Sequence, residues 1–252
     1  MKTMIQNSKE LRNNLLYKIK ATGKKGLTII GTISVIASFF FFLLPDLSSR
    51  LVAVYQSTIG LKASQYKTIS ELHAGANLSF FVDKLGVPAL TQPWRGDETL
   101  QEDVFLNPFF IAETISNNGK VELYSVTVID SNFKPKIVTP DGRKVTLGKT
   151  KFSEIFEGKV DKKNYLLGAH TFAYSEGEYL ANPGLYQTVY FGMHELGMPT
   201  PDFSVMTHVE QWEITDDDLK NFRAGNTPNT YGETSPAGDD IISDPLLLGP
   251  DT

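Results

Sequence analysis

The sequence contains no cysteine among its 252 residues. This absence excludes a disulfide, a thiolate nucleophile, a cysteine-ligated metal and a lipidated cysteine. Histidine and tryptophan are also scarce, with four and two copies. The folded part must therefore be stabilised by its core alone, and a zinc site would need histidines and carboxylates from distant segments.

Recognisable catalytic motifs are missing as well. There is no G-x-S-x-G serine motif, and the GKT at 148–150 lacks the upstream glycine of a phosphate-binding loop. None of the histidines stands in an H-E-x-x-H spacing. These histidines are His73, His170, His194 and His208. We therefore predict no catalytic residue, no metal site and no cofactor, which favours a protein that is not an enzyme.

Long hydrophobic runs are absent except for one, GLTIIGTISVIASFFFFLL at residues 26–44. A helix of this length spans roughly 28 Å at about 1.5 Å per residue, close to the hydrocarbon thickness of a bilayer. A cleaved signal peptide would end in small residues, whereas this run ends in bulky ones. A buried core helix would show a polar face. The run therefore predicts an uncleaved transmembrane helix.

Charge is distributed unevenly along the chain. Residues 1–25 carry seven basic groups and one acidic group, whereas residues 213–252 carry nine acidic and two basic groups. The positive-inside rule predicts a cytoplasmic N-terminus and an external C-terminal part, in a bacterial inner membrane with the domain periplasmic or extracellular. We expect the basic arm to contact anionic membrane lipid, and we expect no nucleic acid partner.

Beyond the hydrophobic run, the pattern predicts an α+β domain of helices and antiparallel strands, arranged as two copies of one unit or as a single one. An apolar helical stripe runs through residues 77–88, and Asn-Gly at 118–119 predicts a hairpin turn. The last strand is predicted at 203–212. The predicted segments are a basic cytoplasmic arm (1–25), a transmembrane helix (26–44), a stem (45–68), an extracytoplasmic α+β domain (69–212) and an acidic disordered tail (213–252).

Two details of this plan have alternatives. Residues 51–61 are apolar enough to be either part of the stem or a packed first helix. The tail is rich in Asp, Asn, Gly, Pro, Ser and Thr, which is typical of disorder, and Asp216 to Asp218 are interpreted as a solvated charge run. Residues 241–248 (IISDPLLL) form an apolar island in this tail, either a docking peptide or a segment without function.

Several short motifs carry a resemblance. FVDKLGVP and LGKTKFSEI resemble the helix starts and stops of tandem helix-plus-antiparallel-sheet domains of the β-lactamase inhibitor protein type and of small outer-membrane assembly lipoproteins. Residues 75–195 also resemble an uncharacterised family of bacterial single-pass membrane-anchored proteins, in the stretches FLNPFFIAETISNNGKVELYSVTV, LGKTKFSEI and YSEGEYLANPGLYQTVYFG. The resemblance implies an extracytoplasmic domain that binds a protein or peptide, and it carries over no catalytic residue.

Two groups of residues are candidates for contact with a partner. Trp94 beside Arg95, in a polar loop, matches the composition of binding hot spots. Gly31, Ser34 and Ser38 share one face of the predicted transmembrane helix, where small side chains admit another helix. The leading hypothesis is a non-catalytic, membrane-anchored protein that binds an envelope partner. The alternatives are an accessory subunit of a larger membrane complex and a hydrolase with dispersed site residues.

Overall fold

A computed structural model of the protein describes residues 60–156, 160, 162–167, 172–205 and 215–238. The predicted arm, the predicted transmembrane helix and most of the stem lie outside these residues, and so do Gly31, Ser34 and Ser38. Within the described ranges, no helix has the length and apolarity needed to cross a bilayer.

The described helices and strands alternate in an α+β order. The helices are α1 (Leu61–Glu71), α2 (Leu78–Leu85), α3 (Phe152–Ile155) and α4 (Asp216–Gly225). The strands are β1 (Leu90–Trp94), β2 (Asp97–Leu106), β3 (Phe110–Asn117), β4 (Lys120–Val128), β5 (Lys136–Val138), β6 (Lys144–Thr146), β7 (Lys162–Leu167), β8 (Phe172–Asn182), β9 (Leu185–His194) and β10 (Thr230–Thr234).

Eight of these strands form one antiparallel sheet in the order β1-β2-β3-β4-β10-β9-β8-β7. Two runs of four strands therefore meet where β4 pairs with β10. Strands β5 and β6 form a separate hairpin. The predicted α+β class with an antiparallel sheet is confirmed.

The turn chemistry explains the local strand pairing. Asn118 and Gly119 join β3 to β4 with φ values of 49° and 75°, and Arg95 and Gly96 join β1 to β2 with 50° and 79°. Positive φ at both central residues is what a two-residue hairpin needs, because its twist matches that of the strands. The predicted hairpin at Asn-Gly is confirmed.

The helices pack on one face of the sheet, which we call the helix face. The ring of Phe81 in α2 lies 5.5 Å from that of Tyr124 in β4. Phe152 of α3 and Phe222 of α4 lie 5.2 Å and 5.0 Å from Tyr174 in β8. These aromatic contacts fix three helices over both halves of the sheet, because rings of this size bury a large apolar area.

A second apolar cluster lies on the other side of the sheet, which we call the opposite face. Successive side chains of a strand point to opposite faces, so Leu123 and Tyr190 point away from their neighbours Tyr124 and Phe191. The members of this buried cluster, called the Trp94 cluster below, are Trp94, Leu100, Ile115, Leu123 and Tyr190. Tyr190 lies against Gly177, where a Cβ atom would come within 2.5 Å of its ring.

The stem boundary predicted at residue 68 is wrong. Helix α1 begins at Leu61 and runs through that boundary to Glu71, with Ile69 buried and Tyr66 stacked on Phe133 at 4.5 Å. The folded domain therefore includes residues 61–68. The sequence obscured this helix because few of its residues face the core, so its apolar periodicity is weak.

The prediction of a disordered tail from residue 213 is also wrong for residues 215–238. Helix α4 begins with a capping box, in which Thr215 Oγ1 accepts from Asp218 N–H and the Asp218 carboxylate accepts from Thr215 N–H. Asp218 is buried, so the run of three aspartates is a helix start and not merely a solvated charge run. Strand β10 then enters the centre of the sheet, with all five residues buried.

The predicted last strand at 203–212 is corrected too. Phe203–Val205 is a short 3-10 helix, and residues 206–214 lie outside the described part. The strand that completes the sheet is β10.

Candidate functional site

A cavity of about 310 Å³ opens on the helix face. It lies between the end of α1, the centre of the sheet and the β5–β6 hairpin. Its lining residues are Ile69, Ser70, Glu71, Leu72, His73, Tyr124, Ile137, Val138, Pro140, Tyr231 and Glu233. Glu233 is the acid of this cavity that comes from the sheet, and we call the space the Glu233 cavity.

Backbone and side-chain donors surround the carboxylate of Glu233. The Ala74 N–H donates to Oε1 at 3.1 Å, and the Tyr231 hydroxyl donates to Oε2 at 3.0 Å. The Tyr124 hydroxyl lies 3.4 Å from the same Oε2 and 3.1 Å from the carbonyl of Leu72. Because a phenol has one proton, Tyr124 serves only one of these acceptors at a time.

Burial dominates the electrostatics of this group. Glu233 is 5 % exposed, and burial raises the pKa of its carboxyl. The Tyr231 hydroxyl, the Ala74 N–H, the nearby His73 and the Gln187 side chain lower that pKa and do not cancel the effect of burial. Among the described residues, no lysine or arginine forms an ion pair with Glu233. The site therefore holds a buried acid without a strong cationic partner from the described part of the chain.

The same surroundings act on the two tyrosines. Burial, together with the negative charge of Glu233, raises the pKa of Tyr124 well above its usual value. Burial and the charges of its neighbours raise the pKa of Tyr231 in the same direction. Both phenols therefore stay protonated at neutral pH and act as hydrogen-bond donors to the carboxylate.

The polar side chains at the rim are engaged elsewhere. Lys84 donates to the Glu71 carboxylate, and this bond lowers the pKa of Glu71. The Ser70 hydroxyl donates to the carbonyl of Lys67 at 2.7 Å, and Nδ1 of His73 lies 3.1 Å from the carbonyl of Glu71. The described hydrogen bonds therefore do not align Ser70 and His73 as a nucleophile and its base.

A second cavity of about 500 Å³ lies on the far side of the β5–β6 hairpin. Arg143 dominates it, with Nε 2.7 Å from Asp141 and Nη1 2.5 Å from Glu178. Its guanidinium lies 5.0 Å from the centre of the Phe156 ring. Glu178 of β8 and Glu233 of β10 are each paired with Val189 of β9, so the two acids lie in one row across the same face of the sheet. The β5–β6 hairpin lies between them.

The residues predicted as partner contacts are placed differently from expectation. Trp94 is not in an exposed loop, because it ends β1 and is 7 % exposed within the cluster named after it. Arg95 occupies the turn, and its guanidinium lies 4.7 Å from the centre of the indole. The two residues are therefore in contact, but the arginine is exposed and the tryptophan ring is buried.

The histidines do not form a metal site in the part of the chain that is described. No group of three or more histidine or acidic residues is positioned there to hold a metal ion. His73 lies at the Glu233 cavity and His194 ends β9, while His170 and His208 fall outside the described residues.

Glu233 was missed by sequence reasoning because it stands in a segment predicted to be disordered. The available signal was weak. Tyr231 and Glu233 alternate with small residues, as in a strand whose large side chains all lie on one face. A segment of five residues with a central glycine, however, does not distinguish a strand from a loop.

No protein-family model matches the chain, and no curated protein matches it. Among solved structures, the chain is similar to a cysteine-rich secretory protein from Staphylococcus aureus subsp. aureus Mu50, at 11% sequence identity and a TM-score of 0.36. The match covers 67% of this chain and 45% of that one, so the chain spans less than half of that protein's length. A likeness at this level carries no argument about function, and the resemblance to β-lactamase inhibitor proteins stays a prediction.

Proposed function

We propose that this chain is a membrane-anchored protein whose α+β domain binds a protein or peptide partner outside the cytoplasm, without chemistry of its own. In this proposal the Glu233 cavity receives a basic side chain of the partner. The observation that carries it is a carboxylate that is 5 % exposed, lines an open cavity and has no lysine or arginine partner among the described residues.

The energetics favour a cationic ligand. Removing a carboxylate from water costs several kcal/mol, and a cation in good geometry recovers much of that cost. Hydrogen-bond donors already compensate part of the Glu233 charge, yet its pKa remains raised by burial. An ammonium or guanidinium group entering the cavity would complete the set of partners.

The size of the cavity favours one side chain over a cofactor. At about 310 Å³ it lies at the lower end of ligand sites, which run from roughly 300 to 1,000 Å³. Ile69, Leu72 and Ile137 supply an apolar wall, and the ring of Phe80 lies beside His73 at 5.5 Å. Apolar walls with a buried acid suit the methylene stem and charged end of a lysine or arginine.

The location is part of the proposal. The apolar run at 26–44 and the basic arm before it support an anchor with a cytoplasmic N-terminus. The strand order, with β1 to β4 on one side and β10 to β7 on the other, supports a domain built from two copies of one unit.

Site-specific photocrosslinking in the native membrane tests this function. A photoreactive amino acid replaces Val138, which lines the Glu233 cavity and is 62 % exposed. The matched control carries the same group at Val87, which is 86 % exposed and lies outside the cavity. We expect a defined crosslinked partner from position 138 and none from position 87.

Two further measurements test the role of Glu233 and the location of the domain. Glu233→Gln keeps the shape of the side chain but removes its charge, so the crosslink from position 138 should fall strongly. Protease added to intact spheroplasts should remove the crosslinked product, because the domain is external. Equal crosslinking from both positions, or a crosslink unaffected by Glu233→Gln, would contradict the proposed site, and protection from protease would contradict the location.

A further inference from the structure

The opposite face of the sheet is buried, although the aromatic contacts of α2, α3 and α4 lie on the helix face. Glu102 and Leu123 are each 1 % exposed on this face, and Thr188 is 0 % exposed. A sheet face open to water leaves its side chains accessible, as one-sided antiparallel sheets do. The contacts of these helices therefore do not account for the burial of the opposite face.

The buried polar atoms of this face indicate what kind of segment would cover it. Nε1 of Trp94, Oε1 of Glu102 and Oγ of Ser175 are buried without a hydrogen-bond partner among the described residues. They comprise a donor, an acceptor and a hydroxyl that can be either. An irregular or extended peptide presents both N–H and C=O groups, whereas the surface of a helix presents mainly side chains.

The described chain ends beside this face. Gly238 N–H donates to Ser235 Oγ at 3.0 Å, and Ser235 N–H donates to the carbonyl of Glu122 at 2.7 Å. Glu122 immediately precedes Leu123, a member of the Trp94 cluster. The residues that follow Gly238 therefore begin next to Glu122, the neighbour in sequence of a residue of the Trp94 cluster.

The composition of those residues matches the surface. Residues 241–248 have the sequence IISDPLLL, with five apolar residues out of eight. In extended form they reach about 26 Å, at about 3.3 Å per residue, and the five strand spacings from β1 to β9, across which the Trp94 cluster lies, measure about 24 Å. Residues 239–252 contain four acids and no base, and Arg95 provides a positive charge beside Trp94.

We propose that residues 239–252 dock on the opposite face of their own domain, with the apolar residues of 241–248 covering the Trp94 cluster. The segment then acts as an internal ligand that closes this face. The proposal is independent of the Glu233 cavity, which opens on the other side of the sheet, so either can fail without the other.

A chain without native cysteines makes the test direct. Leu247→Cys is combined with Glu98→Cys, an exposed position on β2 two residues from Leu100, and a thiol crosslinker of short span is added to the full chain. The matched control combines Leu247→Cys with Val138→Cys, which is exposed on the helix side. We expect intramolecular crosslinking of the first pair to exceed that of the second about tenfold, which corresponds to about 1.4 kcal/mol of docking preference.

A second variant keeps the test decisive. Leu246→Ser with Leu248→Ser, added to the Glu98→Cys and Leu247→Cys pair, should reduce the crosslink while the far-ultraviolet circular dichroism stays unchanged. Equal yields from the two cysteine pairs would overturn the proposal. A crosslink between two copies, or to another protein, in place of the intramolecular product would overturn it as well, because the occupant would then be a different chain.

Discussion

Two buried glutamates on the helix face, Glu176 and Glu233, differ in one partner. Glu176 is 0 % exposed, accepts from the Tyr174 hydroxyl and forms an ion pair with Arg223, whose Nε lies 2.5 Å from Oε1. Glu233 accepts from tyrosine hydroxyls in the same manner but has no such arginine among the described residues. The same sheet therefore contains one acid neutralised from within and one that faces a cavity.

This difference separates a structural role from a binding role. The pair of Glu176 and Arg223 joins β8 to α4, the same two elements that the contact between the rings of Tyr174 and Phe222 joins. Burial and the negative charge of Glu176 raise the pKa of Tyr174, so its phenol remains a donor. Glu233 has donors but no lysine or arginine partner among the described residues, and a buried acid in that state at a cavity is typical of a functional site.

The largest effect should come from removing the cation of the paired site. Arg223→Met leaves a buried carboxylate without its ion-pair partner, and breaking a buried pair in this way costs about 3–5 kcal/mol. Urea denaturation of the full chain, followed by circular dichroism, measures the loss.

Two companions sharpen this measurement. Arg223→Lys retains the charge and should lose less, and Arg223→Met combined with Glu176→Leu should recover stability because no buried charge remains. A loss for Arg223→Met of no more than about 1 kcal/mol, the value of a surface ion pair, would mean that the pair does not differ in kind from exposed ones.

An intermediate effect is expected at the start of α4, the helix that supplies Arg223. Thr215→Ala removes the hydroxyl that accepts from Asp218 N–H at 3.1 Å, and loss of such a cap costs about 1 kcal/mol. Thr215→Ser keeps the hydroxyl and is the control, measured by the same denaturation. If both variants lost equal stability, the cap would not be the cause.

The elements that sequence reasoning predicted correctly are those stabilised by local chemistry. The β3–β4 hairpin follows from Asn118 and Gly119, which accept positive φ, and α2 follows from an apolar stripe that ends at Gly86, with φ 91°. In both cases the residues that determine the structure lie within a few positions of one another.

Strand β10 could not be predicted because its partners are distant in sequence. Tyr231 pairs with Val126 of β4 on one side and with Phe191 of β9 on the other. Its neighbours in sequence are polar and small, so composition indicated disorder. The candidate site was lost with it, because Glu233 meets Ala74 and Tyr124 only once the sheet has formed.

Trp94 illustrates the same limit for a residue that was predicted to be exposed. A tryptophan beside an arginine and a glycine favours an exposed loop, and the turn at Arg95 and Gly96 is indeed there. Whether the ring points to water or to a core depends on what lies across the sheet. In the structure it meets Leu100, Ile115 and Leu123, none of which its local sequence indicates.

The smallest expected effect is the pH dependence that Glu233 alone imposes on stability. Burial raises its pKa in the folded state above the usual value of 4.5, so the folded state binds the proton more tightly than the unfolded state does. Between these two pKa values the free energy of unfolding must fall as pH rises.

The Glu233→Gln variant has no titrating carboxyl at this position, so its stability relative to the native chain should increase as pH rises from 4.5 towards neutrality. Urea denaturation across this range measures the difference, and repeating it in a His73→Asn background removes the contribution of the nearby imidazole. Parallel profiles for the two chains would show that Glu233 ionises as freely in the fold as in water, and the contrast with Glu176 would then lose its physical basis.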